Sequence, residues 1–564
     1  EAGWIRGIER IGGFGGKADV LAECTVYTGN PGCFRDSLKT LAAATPASLR
    51  ATGERWLGAS KGSHTLVVVP GERQPVVEEP AVTPAKLALP AVDPKYKTLP
   101  STVDRKAGPP MPTRFPDLVF PAQQHATLRN GTKVILAERH DVPVVQMSYE
   151  FRGGSAADPA GKPGLAAFAA GLLDEGAGKL DALAFADRAQ ALGANIGANA
   201  GQDSSSGYLS ALKQNLEPSL ALYADMLRRP RFDQADIDRV KGQWIAGIQQ
   251  EKANPNGIVQ RVLPALVYGP GHPYAAPRSG TEASIAALTR ADLEAWHAQA
   301  LRPQDATLVV VGDTTMKEIL PLLEKYFGDW QAPAAAAAAA AIPPAPAQAK
   351  PRVFLVDQPG AVQATIVAAK PLPPSTDPRT VEYDMANMVI GGDFTARLNM
   401  NLREDKHWSY GARSGAGGAV GPRLWTASAP VQIDKTGEAM AEMQREIADY
   451  AGGKRPASAD EVEGMEKILT LSLPGAYETG AAVMSTIASN ALYGRPDDYV
   501  LQRKAQIEAM TPAQVNAAAK ALAPDDLTWV VVGDLSKTAG PVRALNLGEV
   551  QVIDADGKPV AAKP

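Results

Sequence analysis

The sequence predicts an α+β protein made of repeated α/β-sandwich domains, with antiparallel-rich sheets and helices packed on one face. The first observation is a strand-like phrase that occurs three times, at residues 64–71 (HTLVVVPG), 306–313 (ATLVVVGD) and 527–534 (LTWVVVGD). The second is that a helix start of one type precedes each copy. The third is that hairpin turns join the strands, with helices grouped between them, which favours α+β over a parallel doubly wound sheet.

Each copy of the phrase is a β-branched apolar run closed by a turn residue, which is typical of a buried strand. The preceding helix starts are residues 45–48, 289–292 and 511–514, each opened by a Thr N-cap. In the first and last, Pro occupies the first helical position, and Gln514 completes a capping box. The copies lie one domain length apart, far beyond a solenoid period. We therefore expect the end of one α/β domain followed by two complete relatives of it.

Two stretches rich in Pro and Ala separate the periodic segments and indicate linkers. We predict a C-terminal remnant of a truncated α+β domain over residues 1–75, a Pro-rich linker over 76–115, a complete domain over 116–332, an Ala/Pro linker over 333–350, a second complete domain over 351–545 and a tail over 546–564. The N-terminus has neither Met nor a signal pattern. We interpret the chain as a piece of a longer polypeptide.

The first complete domain opens on a predicted hairpin, because Asn130-Gly131 separates two alternating segments. Periodicity then predicts a strand over 144–151, helices over 165–173 and 182–192, a polar strand over 194–211, and helices over 216–228 and 234–252. The second domain repeats this order, with strands over 353–356 and 364–369 and a helix over 380–390.

Composition excludes two classes of function. The chain has 564 residues, of which 45% are hydrophobic, and a formal net charge of −4 without a basic stripe, so nucleic acid is not an expected partner. No run of eighteen apolar residues is present, so we predict no membrane span. Cys24 and Cys33 either pair in an oxidising compartment or remain buried or idle thiols, and the sequence leaves both readings open.

The six histidines are scattered, and no two of them lie at i, i+4 on a helix beside a carboxylate, so no zinc site is visible. Arg403 and Tyr410 are better candidates, since they lie between a predicted helix over 396–402 and a strand. A guanidinium can bind a substrate carbonyl or carboxylate, and a phenol can stabilise an oxyanion. The alternative is that they have no role in function, and that Arg403 is an ordinary exposed side chain and Tyr410 an ordinary half-buried strand residue.

Several segments together resemble the pitrilysin/insulinase (inverzincin) zinc metallopeptidases. They are residues 9–18, Gly153-Gly154-Ser155, His272-Pro273-Tyr274 and residues 402–410, in addition to the repeat. The resemblance implies four related α+β domains arranged as two bowl-like halves around a closed chamber. It also implies a catalytic domain with His-x-x-Glu-His on a helix, in which two His and a later Glu hold zinc and the first Glu activates water.

In this chain the resemblance implies a degenerate motif. The two His positions fall on Ala167 and Gly171, the general-base position falls on Ala170, and the third-ligand position falls on Ala246. None of these side chains can coordinate a metal or transfer a proton. We expect no zinc in this chain and a zinc ion in the missing N-terminal half or in a partner subunit.

The resemblance gives Arg403 and Tyr410 a role, because the family's Arg-Glu and Tyr occur here at the family's spacing. In relatives this pair reaches across the chamber, orients the peptide and helps to stabilise the tetrahedral intermediate. The stretch Lys406-His407-Trp408 departs from the family, which more often has a small and an aliphatic residue there. This departure concerns the shape of the loop, not the two side chains.

We therefore expect the non-catalytic, substrate-binding C-terminal half of a zinc metalloendopeptidase, inactive alone, with a peptide as substrate and the catalytic half as partner. One alternative is a structural or assembly protein that kept the fold without catalysis. Another is a binding module with no peptidase partner. The Ala/Pro-rich linkers indicate a processed protein, and we expect it in the periplasm or cell envelope.

Overall fold

In the described part of the chain, twelve strands form two mixed six-stranded sheets. The computed structural model describes residues 2–58, 62–69, 71, 105–108, 112, 114–333 and 342–560. The strands are β1 (Gln123–Thr127), β2 (Lys133–Glu138), β3 (Val144–Arg152), β4 (Asn195–Ala200), β5 (Ser204–Leu212), β6 (Thr307–Gly312), β7 (Arg352–Asp357), β8 (Gln363–Leu372), β9 (Arg413–Ala416), β10 (Arg423–Gln432), β11 (Thr528–Gly533) and β12 (Glu549–Ile553).

Helices connect and cover these strands. They are α1 (Ala2–Gly7), α2 (Lys17–Thr28), α3 (Cys33–Ala42), α4 (Pro46–Leu57), α5 (Leu165–Ala170), α6 (Ala182–Leu192), α7 (Leu216–Arg228), α8 (Gln234–Ala253), α9 (Pro255–Tyr268), α10 (Glu282–Ala287), α11 (Arg290–Ala300), α12 (Met316–Phe327), α13 (Thr380–Asn387), α14 (Arg397–Asn399), α15 (Thr436–Ala451), α16 (Ala459–Leu471), α17 (Leu473–Ala476), α18 (Gly480–Tyr493), α19 (Tyr499–Glu508), α20 (Pro512–Ala519) and α21 (Leu535–Ala544). Two π-helical segments, Met388–Gly392 and Met400–Asp405, interrupt the helical part of the second domain.

The first sheet has the order β1-β2-β6-β3-β5-β4. β6 runs parallel to β2 and antiparallel to β3, and every other pairing in this sheet is antiparallel. The predicted Asn-Gly hairpin joins β1 and β2, and Gly131 has a φ of 95° in its turn, where L side chains are disfavoured. One face of the sheet packs with α5, α7 and α12 into a single core.

The second sheet has the order β12-β7-β11-β8-β10-β9, with parallel pairs only between β12, β7 and β11. The α+β class and the antiparallel-rich sheets are therefore confirmed. The second and third copies of the repeated phrase form β6 and β11, which take the same place in their sheets between a parallel and an antiparallel neighbour. The predicted helices over 182–192 and 216–228 are also present with those bounds.

Each sheet is covered on its second face by a helix from the other domain. Helix α9 follows the first sheet in the chain, yet its Ile258, Val262 and Val267 pack on β7, β8 and β11. Helix α18 follows the second sheet, yet its Val483 and Ile487 pack on β2 and β6. Because apolar side chains fill both faces of each sheet, the two domains share their cores through this exchange.

Three sequence-based expectations are wrong in detail. The polar strand predicted over 194–211 is two antiparallel strands, β4 and β5, with a turn at residues 201–203. The predicted tail contains β12, which pairs in parallel with β7 and extends the second sheet beyond residue 545. In the phrase at residues 64–71, predicted as a buried strand, the described residues 64–69 and 71 are neither in a strand nor buried.

The chain divides into two compact units, Glu1–Ala22 with Asp117–Pro564, and Glu23–Pro116. The smaller unit contains α3 and α4. A disulfide joins Cys24 to Cys33, so of the two alternatives for these cysteines the structure has the paired one. Most of the predicted linker over 76–115, and residues 334–341 of the second linker, lie outside the described residues. No described helix is long and apolar enough to cross a bilayer.

Candidate functional site

Helix α5 is the short element on which the sequence resemblance places the degenerate motif. Gly164 precedes it with a φ of 89° and offers no side chain as a cap. Asp158, which lies outside the helix, caps this end: its carboxylate oxygens accept hydrogen bonds from the backbone N–H groups of Gly164 and Ala166 at 2.8 and 2.9 Å. A carboxylate at a helix N-terminus is favourable, so α5 is firmly held although it has only six residues.

The indole ring of Trp244 lies beside Gly171. A Cβ atom at Gly171 would lie 3.5 Å from Cζ3 of Trp244. The ring of Phe168 meets the same indole edge to face, with centroids 5.5 Å apart, and Trp244 Nε1 donates to the carbonyl of Ser279 at 2.9 Å. A side chain at position 171 would start in van der Waals contact with this ring, and Gly171, Ala167 and Ala170 offer no ligand atom. These residues do not fit a zinc ion.

Ala246, the predicted third-ligand position, lies exposed on α8. It follows Trp244 by two residues on the same helix, so the two side chains point about 200° apart. The side of α8 that meets α5 therefore carries Trp244. The equivalence of Ala246 with a ligand position stays a prediction.

Two glutamates near the motif positions, Glu175 after Gly171 and Glu251 after Ala246, have other partners. Glu175 forms an ion pair with Arg239, and Glu251 accepts from Arg261 and from the hydroxyl of Ser279, both at 2.9 Å. Within the described ranges, no group of three His, Cys, Asp or Glu side chains is placed to hold a metal ion.

Asp174, in the turn after α5, is held where its charge is disfavoured. Burial, reinforced by the nearby charge of Glu175, raises the pKa of Asp174 to about 6 from 3.8. Between these two pKa values the folded state binds a proton that the unfolded state does not, so stability falls as pH rises through this window. The shift corresponds to roughly 3 kcal/mol at pH values above both pKa values.

Asp174→Asn should consequently raise the free energy of unfolding at pH 8 by about 2–3 kcal/mol, because it removes a buried charge. The gain should shrink as pH falls and become small at pH 4, where Asp174 is protonated in the folded state and about half protonated in the unfolded state. Urea unfolding at pH 4, 6 and 8 measures it. Asp187→Asn, an exposed carboxylate on α6, is the matched control and should not change the curves. A gain that is equal at all three pH values would contradict the assignment to Asp174.

Strand β4 is the edge of the first sheet beside α5 and, among the described residues, pairs only with β5. Gly197 lies beneath the Tyr208 side chain, since a Cβ atom there would come within 2.3 Å of the Tyr208 hydroxyl. Asn195 and Asn199 are exposed on the same strand. An open edge of this kind can receive an extended peptide as an added strand.

Arg403 lies in the π-helical segment Met400–Asp405, with 40% of its side chain exposed. Its guanidinium lies over the ring of Phe394, 4.6 Å from the centroid, and its Nε atom is 3.3 Å from Oε1 of Glu404. No other polar partner contacts it in the part of the chain that the structure describes. Its remaining N–H donors are therefore available to a carbonyl or carboxylate.

Tyr410 is 86% exposed at the end of the loop that follows Arg403. The loop is fixed at Ser409, whose Oγ donates to the carbonyl of Pro430 at 2.6 Å. His407 has a φ of 57°, and its N–H donates to the carbonyl of Arg403 at 3.2 Å. Such a backbone favours residues without a Cβ, which agrees with the small residue that the resemblance suggests for this stretch.

Hydrogen bonds of Arg397 and Asn401 anchor the segment that carries Arg403. Arg397 forms two hydrogen bonds of 2.8 Å with the carboxylate of Glu461 and also donates to the backbone carbonyls of Arg455 and Pro456. Asn401 donates to Glu442 and Glu446 of α15 at 2.8 and 2.9 Å. These contacts hold the helix on which Arg403 lies. In the described structure, no hydrogen bond, ion pair or ring contact joins Arg403 or Tyr410 to each other or to α5.

His272-Pro273-Tyr274 belongs to a clamp between the domains. The hydroxyl of Tyr274 donates to Oδ1 of Asp203 at 2.5 Å and accepts the N–H of Gly421 at 2.8 Å. The N–H of Val420 donates to Oδ2 of Asp203 at 2.9 Å. The β4–β5 turn of the first domain is thereby tied to the segment just before β10 of the second.

A cleft of about 1230 Å³ lies at one end of the first sheet, and the sequence analysis missed it. It is lined by side chains of both charges and by apolar ones, among them Glu150, Arg152, Lys162, Trp296 and Leu492. Burial raises the pKa of Glu150, whose partner is the hydroxyl of Ser148. None of the predicted site residues lines this cleft. Gly153-Gly154, which carries part of the family resemblance, borders it.

Two family profiles match the chain. Residues 133–280 match the family described as insulinase (peptidase family M16), and residues 287–469 match the peptidase M16 inactive domain. The two matches follow one another and together cover most of the first sheet domain and much of the second.

Curated relatives divide between peptidases and non-peptidases. A non-peptidase homologue, YmxG of Helicobacter pylori, is 21% identical over 410 residues, which cover 72% of this chain and 92% of that protein. An uncharacterized zinc protease of Mycobacterium leprae is 23% identical over 404 residues, which cover 70% of this chain and 88% of that protein.

Solved structures share the fold. The peptidase M16 inactive domain from Pseudomonas fluorescens superposes with a TM-score of 0.66 at 25% identity, covering 73% of this chain and 98% of that one. The periplasmic protease PqqL from Escherichia coli superposes with a TM-score of 0.61 at 18% identity, covering 88% of this chain and 52% of that one.

Proposed function

We propose, for a chain that belongs to the M16 peptidase (insulinase) family, that it is the non-catalytic, substrate-binding half of a two-lobed zinc metalloendopeptidase. The observation that carries the proposal is the contrast between two sites. On α5 the motif positions lack ligand atoms, and the indole of Trp244 lies beside Gly171. In the second domain, Arg403 and Tyr410 keep exposed donors on an anchored segment.

The metal chemistry is assigned to an N-terminal half of the same precursor or to a partner subunit, and to no residue of this chain. A peptide lies along the open edge of β4 by main-chain hydrogen bonds. The guanidinium of Arg403 orients a carbonyl or carboxylate of this peptide, and the phenol of Tyr410 donates to the oxygen on which charge develops.

Two observations support a periplasmic or cell-envelope location. The disulfide between Cys24 and Cys33 is of a kind that persists in oxidising compartments. One protein of the same fold, PqqL, is described as periplasmic.

Arg403→Ala tests the proposal on this chain alone. Titration with a fluorescein-labelled, unstructured peptide should show weaker binding by roughly 1.5–3 kcal/mol, the contribution of a charged hydrogen bond. The matched control is Arg188→Ala, an exposed Arg on α6, which should bind as the parent does. Equal affinity for both variants would instead favour a binding module without a peptidase partner. Peptide cleavage by the isolated chain with zinc present would overturn the non-catalytic assignment.

The second candidate function is a structural or assembly role. Two relatives favour it: the non-peptidase homologue of Helicobacter pylori, and the cytochrome b-c1 complex subunit 1 of Caenorhabditis elegans, which is 25% identical over 209 residues. A scaffold has no use for the exposed pair Arg403 and Tyr410, so it predicts no peptide binding that depends on Arg403.

A further inference from the structure

Strands β2, β6 and β3 carry a row of polar side chains at the point where α18 stops covering the first sheet. In the register of the sheet, Thr307 pairs with Lys133 on one side and with Glu150 on the other. Paired residues share a face of a sheet, and so do alternate residues of one strand. The row therefore lies on the same face as Val309, which α18 covers. Helix α18 ends beside it with Leu492, so the row borders the cleft of about 1230 Å³.

Most charged side chains that line this cleft are matched within the protein. Lys162 forms an ion pair with Asp292, and Arg302 forms one with Asp305 at 2.9 Å. Asp158 accepts backbone N–H groups at the start of α5. These groups hold the walls of the cleft and are not free for a ligand.

Three charged side chains of the lining remain, namely Lys133, Glu150 and Arg152. Within the described ranges, the side chains of Lys133 and Arg152 have no hydrogen bond or ion pair, and both residues are exposed. Glu150 has the hydroxyl of Ser148 as its partner. Two unmatched cations against one acid leave the cleft with an excess of positive charge, which favours an anion.

The two free cations can reach one group. Neighbouring strands lie about 4.8 Å apart, so the backbones of Lys133 and Glu150 are about 10 Å apart, with Thr307 between them. Arg152 follows Glu150 by two residues, so its side chain lies on the same face. The long side chains of Lys133 and Arg152 thus approach the position above Thr307 from two sides. A carboxylate has two oxygens, and each can accept from one of these cations.

The rest of the lining indicates what carries that carboxylate. Trp296 and Leu492 give the cleft apolar walls. Its volume of about 1230 Å³ is larger than the roughly 300–1,000 Å³ of a site for a small molecule. Several apolar residues of an extended chain fit such a space better than a small acid does.

We propose that this cleft binds the C-terminal end of a peptide, with the terminal carboxylate held by Lys133 and Arg152 and the last apolar side chains against Trp296 and Leu492. The hydroxyl of Thr307 donates to the same carboxylate. The cleft includes neither Arg403 nor Tyr410, so the inference goes beyond the proposed function and holds equally for a peptidase half and for a binding module.

Two short peptides of Ala and Leu test the proposal on the full chain. Both carry a neutral coumarin dye at the N-terminus, and one ends in a free carboxylate while the other ends in an amide. Fluorescence anisotropy at pH 8 should show that the free acid binds roughly ten-fold or more tightly than the amide, because the amide cannot form the charged hydrogen bonds. Equal affinities, or no binding of the acid, would overturn the proposal.

Substitutions locate the carboxylate. Lys133→Met and Arg152→Met should each weaken binding of the acid roughly ten-fold and leave binding of the amide unchanged. Lys179→Met, at an exposed Lys outside the cleft, is the matched control and should change neither. If the preference for the acid survived both cleft variants and were lost in Arg403→Ala, the carboxylate would bind at Arg403. The proposal would then fail while the proposed function stood.

Glu150→Gln tests the chemistry of the ligand. Because the substitution removes a negative charge beside the bound carboxylate, the variant should bind the acid at least as tightly as the parent does. Weaker binding would show that the cleft uses the charge of Glu150 on a cation or donor, which would overturn the assignment to a carboxylate.

Carbodiimide coupling gives a readout of position. The reagent joins a carboxylate to a neighbouring amine, so it should link the end of the free-acid peptide to Nζ of Lys133, and mass spectrometry identifies the linked residue. The amide peptide has no carboxylate and should give no product. Coupling of the acid to other lysines but not to Lys133 would contradict the proposal.

Discussion

Glu461→Ala is expected to lower the free energy of unfolding by about 3–5 kcal/mol, because it leaves a buried guanidinium without its carboxylate. Arg397 is only 8% exposed in its side chain, and both of its hydrogen bonds to Glu461 measure 2.8 Å. Its other direct partners are neutral, namely two backbone carbonyls and the ring of Tyr450, 4.9 Å from the guanidinium, and the charge of Glu446 acts on it more weakly than that of Glu461. Neutral partners do not balance a buried charge.

A double-mutant cycle separates this effect from the loss of a helix cap, since Glu461 also accepts the N–H of Ser458 at 2.9 Å. Arg397→Met combined with Glu461→Leu should be much less destabilised than Glu461→Ala alone, because both charges are then absent. Glu463→Ala, on the exposed side of the same helix, is the control and should change little. Urea unfolding of the variants measures each term. Additive effects of the two single changes would show that the pair is not coupled.

The same substitution connects stability to the candidate site. Arg397 begins the helical segment that continues through the π-helical turn to Arg403. If the segment moves when its anchor is lost, Glu461→Ala should also weaken the peptide binding that depends on Arg403, even at temperatures where the protein stays folded. Glu461 is then a positioning residue for Arg403 and not a ligand of the peptide.

Elements that depend on local patterns could be predicted from the sequence. The β-branched runs at residues 307–312 and 528–533, the Asn-Gly hairpin and the helix caps all act within a few residues, and the structure contains them. The first copy of the phrase shows the limit of this reasoning. A strand is stabilised by its neighbours more than by its own propensity, and among the described residues no strand pairs with residues 64–69.

Other features could not be predicted because they depend on distant contacts. The sequence around residues 194–211 is a polar stretch with little alternation, so the turn between β4 and β5 was hidden. At the candidate site, the motif positions revealed which ligands were missing, but not that the indole of Trp244 from α8 lies beside Gly171. Likewise, an apolar stripe on α9 or α18 predicts burial and does not say against which sheet.

A substitution in α18, one of the two exchanged helices, is expected to have the second large effect on stability. Ile487→Asp should destabilise the first domain by about 4 kcal/mol or more, because it places an unpaired carboxylate in a fully apolar cluster. Ile487 belongs to the second domain by sequence, yet its neighbours in that cluster are Val309 and Val311 of β6 and Ala137 of β2. The damage is therefore expected more than one hundred and fifty residues away from the substitution, in the other domain.

Amide hydrogen exchange can locate this damage. In Ile487→Asp, protection should fall first in β2 and β6, while Leu501→Asp, at a side chain that is 44% exposed on α19, should leave both strands protected. The reciprocal substitution Val262→Asp on α9 should expose β7 and β11 of the second sheet instead. If Ile487→Asp lowered protection only in the second domain, the helix would merely rest on the first sheet. If each substitution instead lowers protection in the sheet of the other domain, neither sheet domain is stable without the helix that it receives from the other.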